Sequence, residues 1–343
     1  MSHPLNLAAV RMDATPISVE SRLDRAWSLV SRSAQKDAQL VVLPELFNTG
    51  YVYSSKNYQL AEGIDGKTVS WMKSIARELG VHIAGSLLLR DVDGIYNAMI
   101  LIAPDGRLWR YDKSYPWAWE RAYFRPRKNP IQVAETDLGK IGMLICWDVG
   151  HTNLWAQYAG KIDLFISSSC PPLVHQMDIH LPDGKVINSS ELGKLLQFAY
   201  RGADKIFGEL YLNQARWLGV PSVNTTGAGT FQSQLPIPKF AAASFFSARP
   251  DLWKYIAQAE KITISAGYFD DTFIADADGN LLAKTKTDND DLVIAPVQLA
   301  DKNPQPTSLK QPESGLGMLT YLVDIYVNAA LKNYYNQRWL NAT

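Results

Sequence analysis

Residues 40–45, Leu-Val-Val-Leu-Pro-Glu, are an apolar run of strand length that a proline stops and a carboxylate follows. Residues 108–113, Leu-Trp-Arg-Tyr-Asp-Lys, deliver an amine in the same way, and residues 141–148, Ile-Gly-Met-Leu-Ile-Cys-Trp-Asp, deliver a thiol. Each segment thus places a reactive side chain, Glu45, Lys113 or Cys146, at or just beyond a strand end. Open α/β sheets hold reactive groups at such ends, where the scaffold is rigid and the edge is open to ligand.

Around these segments the apolar pattern alternates between strand and helix periods. Strands are expected at Leu5–Val10, Leu40–Leu43, Val81–Leu89, Tyr96–Ile102, Leu108–Tyr111, Ile131–Ala134, Ile141–Ile145, Leu164–Ser168, Val220–Asn224 and Leu292–Val297. A hairpin joins Thr272–Ala275 to Leu281–Lys284 across Asp276–Asn280. Helices are expected at Ser18–Gln35, with Leu23, Trp27, Val30 and Ala34 on one face, and at Val69–Leu79, Thr152–Ala159 and Ser189–Leu218. Cys170–Asn188 and Gly227–Lys261, both interrupted by prolines, read as loop-rich insertions. Alternation in some stretches and hairpins in others argue for an α/β fold of two sheets covered by helices, not one doubly wound parallel sheet. The chain contains no internal repeat and no low-complexity tract.

With 343 residues, 47% of them hydrophobic, the chain has ample core for a single α/β unit. Lys+Arg and Asp+Glu balance at 34 each, which gives no electrostatic reason to expect nucleic acid or an anionic membrane as partner. The basic run Arg121–Lys128 reads as a solvated or site-bordering loop. Two cysteines, Cys146 and Cys170, are too few for a disulfide framework. No secretion signal and no uninterrupted apolar stretch of spanning length are found, so a cytoplasmic location is expected, where a thiol stays free.

Taken singly, the reactive residues have ordinary explanations: a buried cysteine fills space, and Glu or Lys sits in solvent. Together they form a chemical set. A thiol attacks an amide or nitrile carbon well only as thiolate, and it needs a base or a positive neighbour to become one. Glu45 supplies the base and Lys113 the charge. A carboxylate beside a lysine is expected to stay ionised. His180 follows Cys146 too closely for a papain-like pair. No cofactor or metal is expected. His175, Asp178 and His180 lack a matching ligand pair, Asp93-Gly94 and residues 276–279 read as hairpin turns, and Gly227-Ala228-Gly229 falls short of a phosphate loop.

The strings VVLPELFNTGY, YDKSYPWAWER and IGMLICWDVG resemble, in order and spacing, the three signature segments of the nitrilase, or carbon–nitrogen hydrolase, superfamily. The resemblance implies an α-β-β-α sandwich of the nitrilase type, taken here over residues 1–300, with subunits commonly pairing across helices. It implies that Glu45 acts as base, that Cys146 forms a thioester, and that Lys113 and a backbone N–H near Trp147 stabilise the developing charge. Glu120, seven residues beyond Lys113, matches a second active-site glutamate and would orient Lys113 or the substrate amide. Trp147 and Tyr51 are the expected substrate contacts. Beyond Cys146 the chain departs from the family pattern. The Arg-aromatic-Pro-Glu string of many amidases is missing, and Asp148 stands where true nitrilases typically show Glu.

Hydrolysis of a small amide, releasing ammonia or an amine and a carboxylic acid, is therefore the expected reaction. Nitrile hydrolysis is the alternative reaction, and a non-catalytic binding or scaffolding member of the family is the alternative from a different functional class. An acyltransferase is disfavoured, because the family's acyltransferases are embedded in membranes. Residues 301–343 form a C-terminal extension in which Leu316–Leu340 is apolar on a helical period. Its few cations argue against membrane contact and for burial against a second copy, so a homo-oligomer is expected.

Overall fold

The computed structural model describes residues 4–126, 131–192, 205–300, 304–313, 316 and 331–339. The first third of the chain runs β1 (Leu5–Asp13), α1 (Val19–Ala34), β2 (Leu40–Val42), α2 (Lys67–Leu79), β3 (His82–Asp91), β4 (Gly94–Ile102) and β5 (Leu108–Asp112). Helical crossovers return the chain for β1, β2 and β3 to pair in parallel. The connections around Val92-Asp93 and Pro104–Gly106 are too short for a crossover, so β4 and β5 add antiparallel. Ser18 caps α1 by accepting the Ser21 N–H at 3.2 Å. Gly80 ends α2 at φ 66°, a left-handed turn that a side chain would strain. One expectation for α1 fails. Leu23, Ala26, Leu29 and Val30 face the sheet, while Trp27 is 44% exposed.

The chain then forms β6 (Ala134–Thr136), β7 (Gly139–Ile145), α3 (Thr152–Tyr158) and β8 (Leu164–Ser168), followed by the hairpin of β9 (Asp178–His180) and β10 (Val186–Asn188). After these come α4 (Tyr211–Leu218), β11 (Ser222–Thr225), β12 (Gly227–Ala228), β13 (Phe231–Gln234), α5 (Pro238–Phe245), β14 (Thr263–Ala266), β15 (Phe273–Ala275), β16 (Leu281–Lys284) and β17 (Asp291–Val297). The expected strand Ile131–Ala134 begins only at Ala134. The expected helix Ser189–Leu218 opens as a 3-10 turn at Ser189–Leu192 and closes as a π-helical turn, Ile206–Leu210, running into α4. Residues 193–204 of it lie outside the described residues.

Two sheets result. The first has the order β12-β1-β2-β3-β4-β5, with β17 also pairing with β1, and the second has the order β16-β15-β11-β8-β7-β6. Leu7, Leu40, Val42 and Met99 of the first share a buried core with Ile141, Met143 and Val223 of the second. Helices α1 and α2 cover the outer face of the first sheet through Leu23, Val30, Met72 and Ile75. Helices α3 and α4 cover the second through Trp155, Tyr158, Tyr211 and Leu218. The layers are helix, sheet, sheet, helix, as expected.

The insertions are more ordered than expected. Three of their short strands join β14, just beyond the second insertion, in a third sheet, β10-β9-β14-β13, backed by α5 and a 3-10 segment, Pro250–Lys261. Phe231 and Ser233 point inward while Gln232 and Gln234 stay exposed, a strand alternation hidden by its brevity. Of the apolar tail, residues 331–339 are helical and lie on this same chain. The Tyr335 hydroxyl accepts the Ile95 N–H at 2.8 Å, and Arg125 spans the Tyr335 ring and Asn336. Most of the stripe on which the oligomer expectation rests lies outside the described residues.

Candidate active site

Beyond β2, Leu43 keeps the strand's course, its N–H donating to the Ala84 carbonyl at 2.7 Å. Its own carbonyl accepts Ser168 Oγ at 2.6 Å, tying the first sheet to the second where Glu45 follows. Leu46 then turns with φ 51°. On the second sheet Cys146 ends β7 with φ 48° and opens the 3-10 turn Cys146–Gly150. Ala118, two residues before Glu120, has φ 36°. Non-glycine residues in this region cost about 1–3 kcal/mol each and gather where function demands an aimed side chain. Three of the five such residues among the described ones sit at this site.

These turns bring the four side chains together. Lys113 Nζ lies 2.7 Å from Glu45 Oε1 and 2.9 and 2.7 Å from the two oxygens of Glu120. Tyr51 donates its hydroxyl to Glu120 Oε1 at 2.6 Å, and the Trp117 N–H donates to Oε2 at 2.7 Å. Asn97 Nδ2 donates to Glu45 Oε1 at 2.7 Å. Cys146, Glu45, Lys113 and Glu120 are all buried, with Cys146 at 4% exposure. The thiol's influence is felt at Glu45, Lys113 and Tyr51 alike.

Burial dominates the electrostatics. It lifts Glu45 to about 7 against the opposing pull of Lys113, so the carboxylate is poised near neutrality where the sequence suggested a firmly ionised one. Burial also pushes the Cys146 thiol up, and Glu45 adds to this while Lys113 resists. At Lys113 burial disfavours the charge, but Cys146, Glu120 and Glu45 outweigh it and hold the ammonium well above its usual range. The arrangement therefore sets a thiol beside a carboxylate held near neutrality, which itself pairs with a buried ammonium. A base with this acidity can take a proton and return it at neutral pH.

Asp148 ties the Cys146–Gly150 turn to the segment that follows Lys113. It accepts the Tyr111 hydroxyl at 2.8 Å and the Ser114 and Tyr115 N–H groups at 3.2 and 2.7 Å. Burial raises it to about 6. Trp147 lies between the Trp117 ring, 6.2 Å away, and His151, 6.3 Å away, and Tyr115 stacks on His151 at 3.7 Å. Phe231 of the third sheet meets Tyr51 and Tyr53 at 6.0 and 5.6 Å. Two of these aromatic residues, Tyr51 and Trp117, also hydrogen-bond Glu120.

Residues 6–180 match the carbon–nitrogen hydrolase family, a stretch that contains Glu45, Lys113, Glu120 and Cys146. The chain belongs to the carbon–nitrogen hydrolase family. Similar proteins include a nitrilase of Pyrococcus abyssi, 30% identical over 42% of this chain and 56% of the relative. An omega-amidase of Xenopus tropicalis is 30% identical over 45% and 59%, and an N-carbamoylputrescine amidase of Solanum lycopersicum 31% over 42% and 51%. The matches thus span little more than half the length of these relatives. In structure the carbon–nitrogen hydrolase of Helicobacter pylori G27 superposes with a TM-score of 0.63 at 18% identity, covering 86% of this chain and 89% of that one. A Nesterenkonia amidase gives 0.61 at 17%, covering 86% and 91%. The carbon–nitrogen hydrolase fold is therefore shared well beyond the stretch of recognisable sequence.

The other sequence candidates fall elsewhere. His180 pairs with Ser265, Asp178 with Asn188 and His175 with Gln176, each within or beside the third sheet. Among the described residues no group of three or more His, Cys, Asp or Glu side chains could hold a metal ion, and no helix is long and apolar enough to cross a membrane. Asn97 was missed. Its signal was a single amide in the otherwise apolar run 95–102.

Proposed function

We propose that this carbon–nitrogen hydrolase cleaves the C–N bond of a small amide through a thioester on Cys146. The observation that carries the reading is a strained strand-end thiol beside a carboxylate held near neutrality, which in turn pairs with a fully buried ammonium at 2.7 Å. Glu45 accepts the thiol proton as sulfur bonds to the carbonyl carbon. The oxyanion that forms is met by Lys113 and by main-chain N–H groups opening the 146–150 turn. Glu45 passes its proton to the nitrogen as the C–N bond breaks, leaving a thioester and free ammonia or amine. Glu45 then takes a proton from water, whose oxygen attacks the thioester carbon, and the sulfur leaves and recovers the proton. Glu120, held by Tyr51 and the Trp117 N–H, keeps Lys113 in place. Trp147 and the ring of Tyr51 flank the acyl group, since the Tyr51 hydroxyl is committed to Glu120. The names of the amidase relatives support amides over nitriles, while the Pyrococcus relative keeps nitriles as the second substrate class.

A panel of small amides, carbamoyl amines and nitriles is to be screened for ammonia release, with intact mass measured on brief exposure. The expected adduct maps to Cys146, is absent in Cys146→Ala, and persists in Cys170→Ser. Turnover by Cys146→Ala at the parent rate sinks the mechanism.

A further inference from the structure

Asn97 is fully buried on β4, which passes between β3 and β5. Its side chain and main chain both serve the site. Nδ2 donates to Glu45 Oε1 at 2.7 Å, and the carbonyl accepts the Lys113 N–H at 2.8 Å. Lys113 Nζ reaches the same Oε1 at 2.7 Å. One carboxylate oxygen thus takes two donors, and the other, Oε2, is buried without a regular hydrogen bond. Two donors converging on one oxygen fix the plane of a carboxylate and distinguish its two ends. Asn97 Oδ1 is itself buried without a partner. A buried carbonyl left unpaired weakens a fold, so packing alone would favour leucine at this position.

We propose that Asn97 is a positioning residue, which holds Glu45 in the orientation that leaves Oε2 to the thiol and registers Lys113 on the same carboxylate. The role rests on the reading of Glu45 as the base for Cys146. The titratable groups around Glu45 are Lys113, Glu120, Tyr51, Cys146 and Cys170. Among the described residues Lys113 and Asn97 are the two donors to Oε1. Removing the asparagine therefore takes away one of two groups that favour the ionised carboxylate there. Burial then acts less opposed, and the base titrates at higher pH.

The test needs no substrate. Alkylation of Cys146 by iodoacetamide is followed by mass across pH 5 to 9, with the adduct mapped, in the parent, Glu45→Gln and Asn97→Leu. The parent rate is expected to fall as Glu45 takes up its proton, and Glu45→Gln to lack that limb. In Asn97→Leu the limb moves up by about one pH unit, or about tenfold slower alkylation below it. Asn97→Ala removes the donor without crowding and moves the limb the same way, which serves if the leucine variant does not fold. A Glu45-dependent limb that stays in place in the Asn97 variants overturns the role of Asn97 alone. A parent profile without such a limb overturns the reading of Glu45 and this inference with it.

Discussion

Replacing Lys113 by methionine keeps the buried stem and removes the ammonium that Glu45 and Glu120 share at 2.7 Å each. Loss of a preorganised charge stabiliser lowers turnover by about 10²–10³-fold. The stability change carries the sharper information, because it depends on pH. Burial places Glu45 at about 7 in the fold against 4.5 in the open chain. A folded value above the unfolded one means that stability is lost as pH rises from about 4.5 and levels off once pH passes 7. At 1.36 kcal/mol per unit this is a loss of about 3 kcal/mol in the parent. Without Lys113, which now opposes the burial, the folded value moves above 7 and the loss continues. The variant is expected to be less stable than the parent by about 3–5 kcal/mol at alkaline pH, as for other broken buried pairs. Between pH 7 and 8.5 the gap should widen by up to about 2 kcal/mol, and below pH 6 the part owed to Glu45 should stay constant. Urea denaturation at pH 5.5, 7.0 and 8.5 measures this. A gap independent of pH refutes the assignment of the raised carboxylate to Glu45, and a rate within tenfold of the parent refutes the role of Lys113.

Three further outcomes follow from the same geometry. As pH drops below about 7, kcat/KM falls with the fraction of ionised Glu45, because only that form accepts the thiol proton; a profile flat from pH 5 to 8 contradicts this. Tyr51→Phe removes the 2.6 Å donation to Glu120, which costs about 1–2 kcal/mol of stability and slows turnover through a displaced Lys113; an unchanged melt and rate would leave Tyr51 as a wall residue only. Deleting residues 316–343 is expected to change the oligomeric state before the chemistry, since the four site residues lie between positions 45 and 146. Light scattering after size exclusion decides, and identical species for both chains would mean that the tail serves its own subunit, as residues 331–339 do through Tyr335.

Much of this site was legible because it is local in sequence. Three short apolar strands, each followed at once by Glu45, Lys113 or Cys146, carried both the strand positions and the chemistry. Glu120 was legible only through the family resemblance, which places a second glutamate seven residues beyond Lys113. What escaped were relations across the chain. Nothing near Asn97 in sequence shows that its amide meets Glu45, 52 positions away. The acidity of Glu45 depends on how completely the surrounding fold excludes water, which no local pattern encodes. Trp27 was placed inward because its spacing fits, yet small Ala26 suits the sheet-facing stripe and the indole stays outside. The third sheet escaped for a different reason: strands of three or four residues lie below the length at which a period of two can be told from chance.

The base and the lysine follow strands of the first sheet, whereas the thiol follows a strand of the second. No single layer of this protein owns its chemistry. The proposed reaction would accordingly gauge the spacing between two stacked sheets, where a displacement of about 1 Å can cost a hundredfold in rate. On the proposed mechanism, heat, pressure or a cavity-forming substitution in the shared core around Val42, Met99 and Met143 is expected to lower turnover while each sheet still keeps its hydrogen bonds. Activity in this architecture is a more sensitive thermometer of the core than any measure of secondary structure.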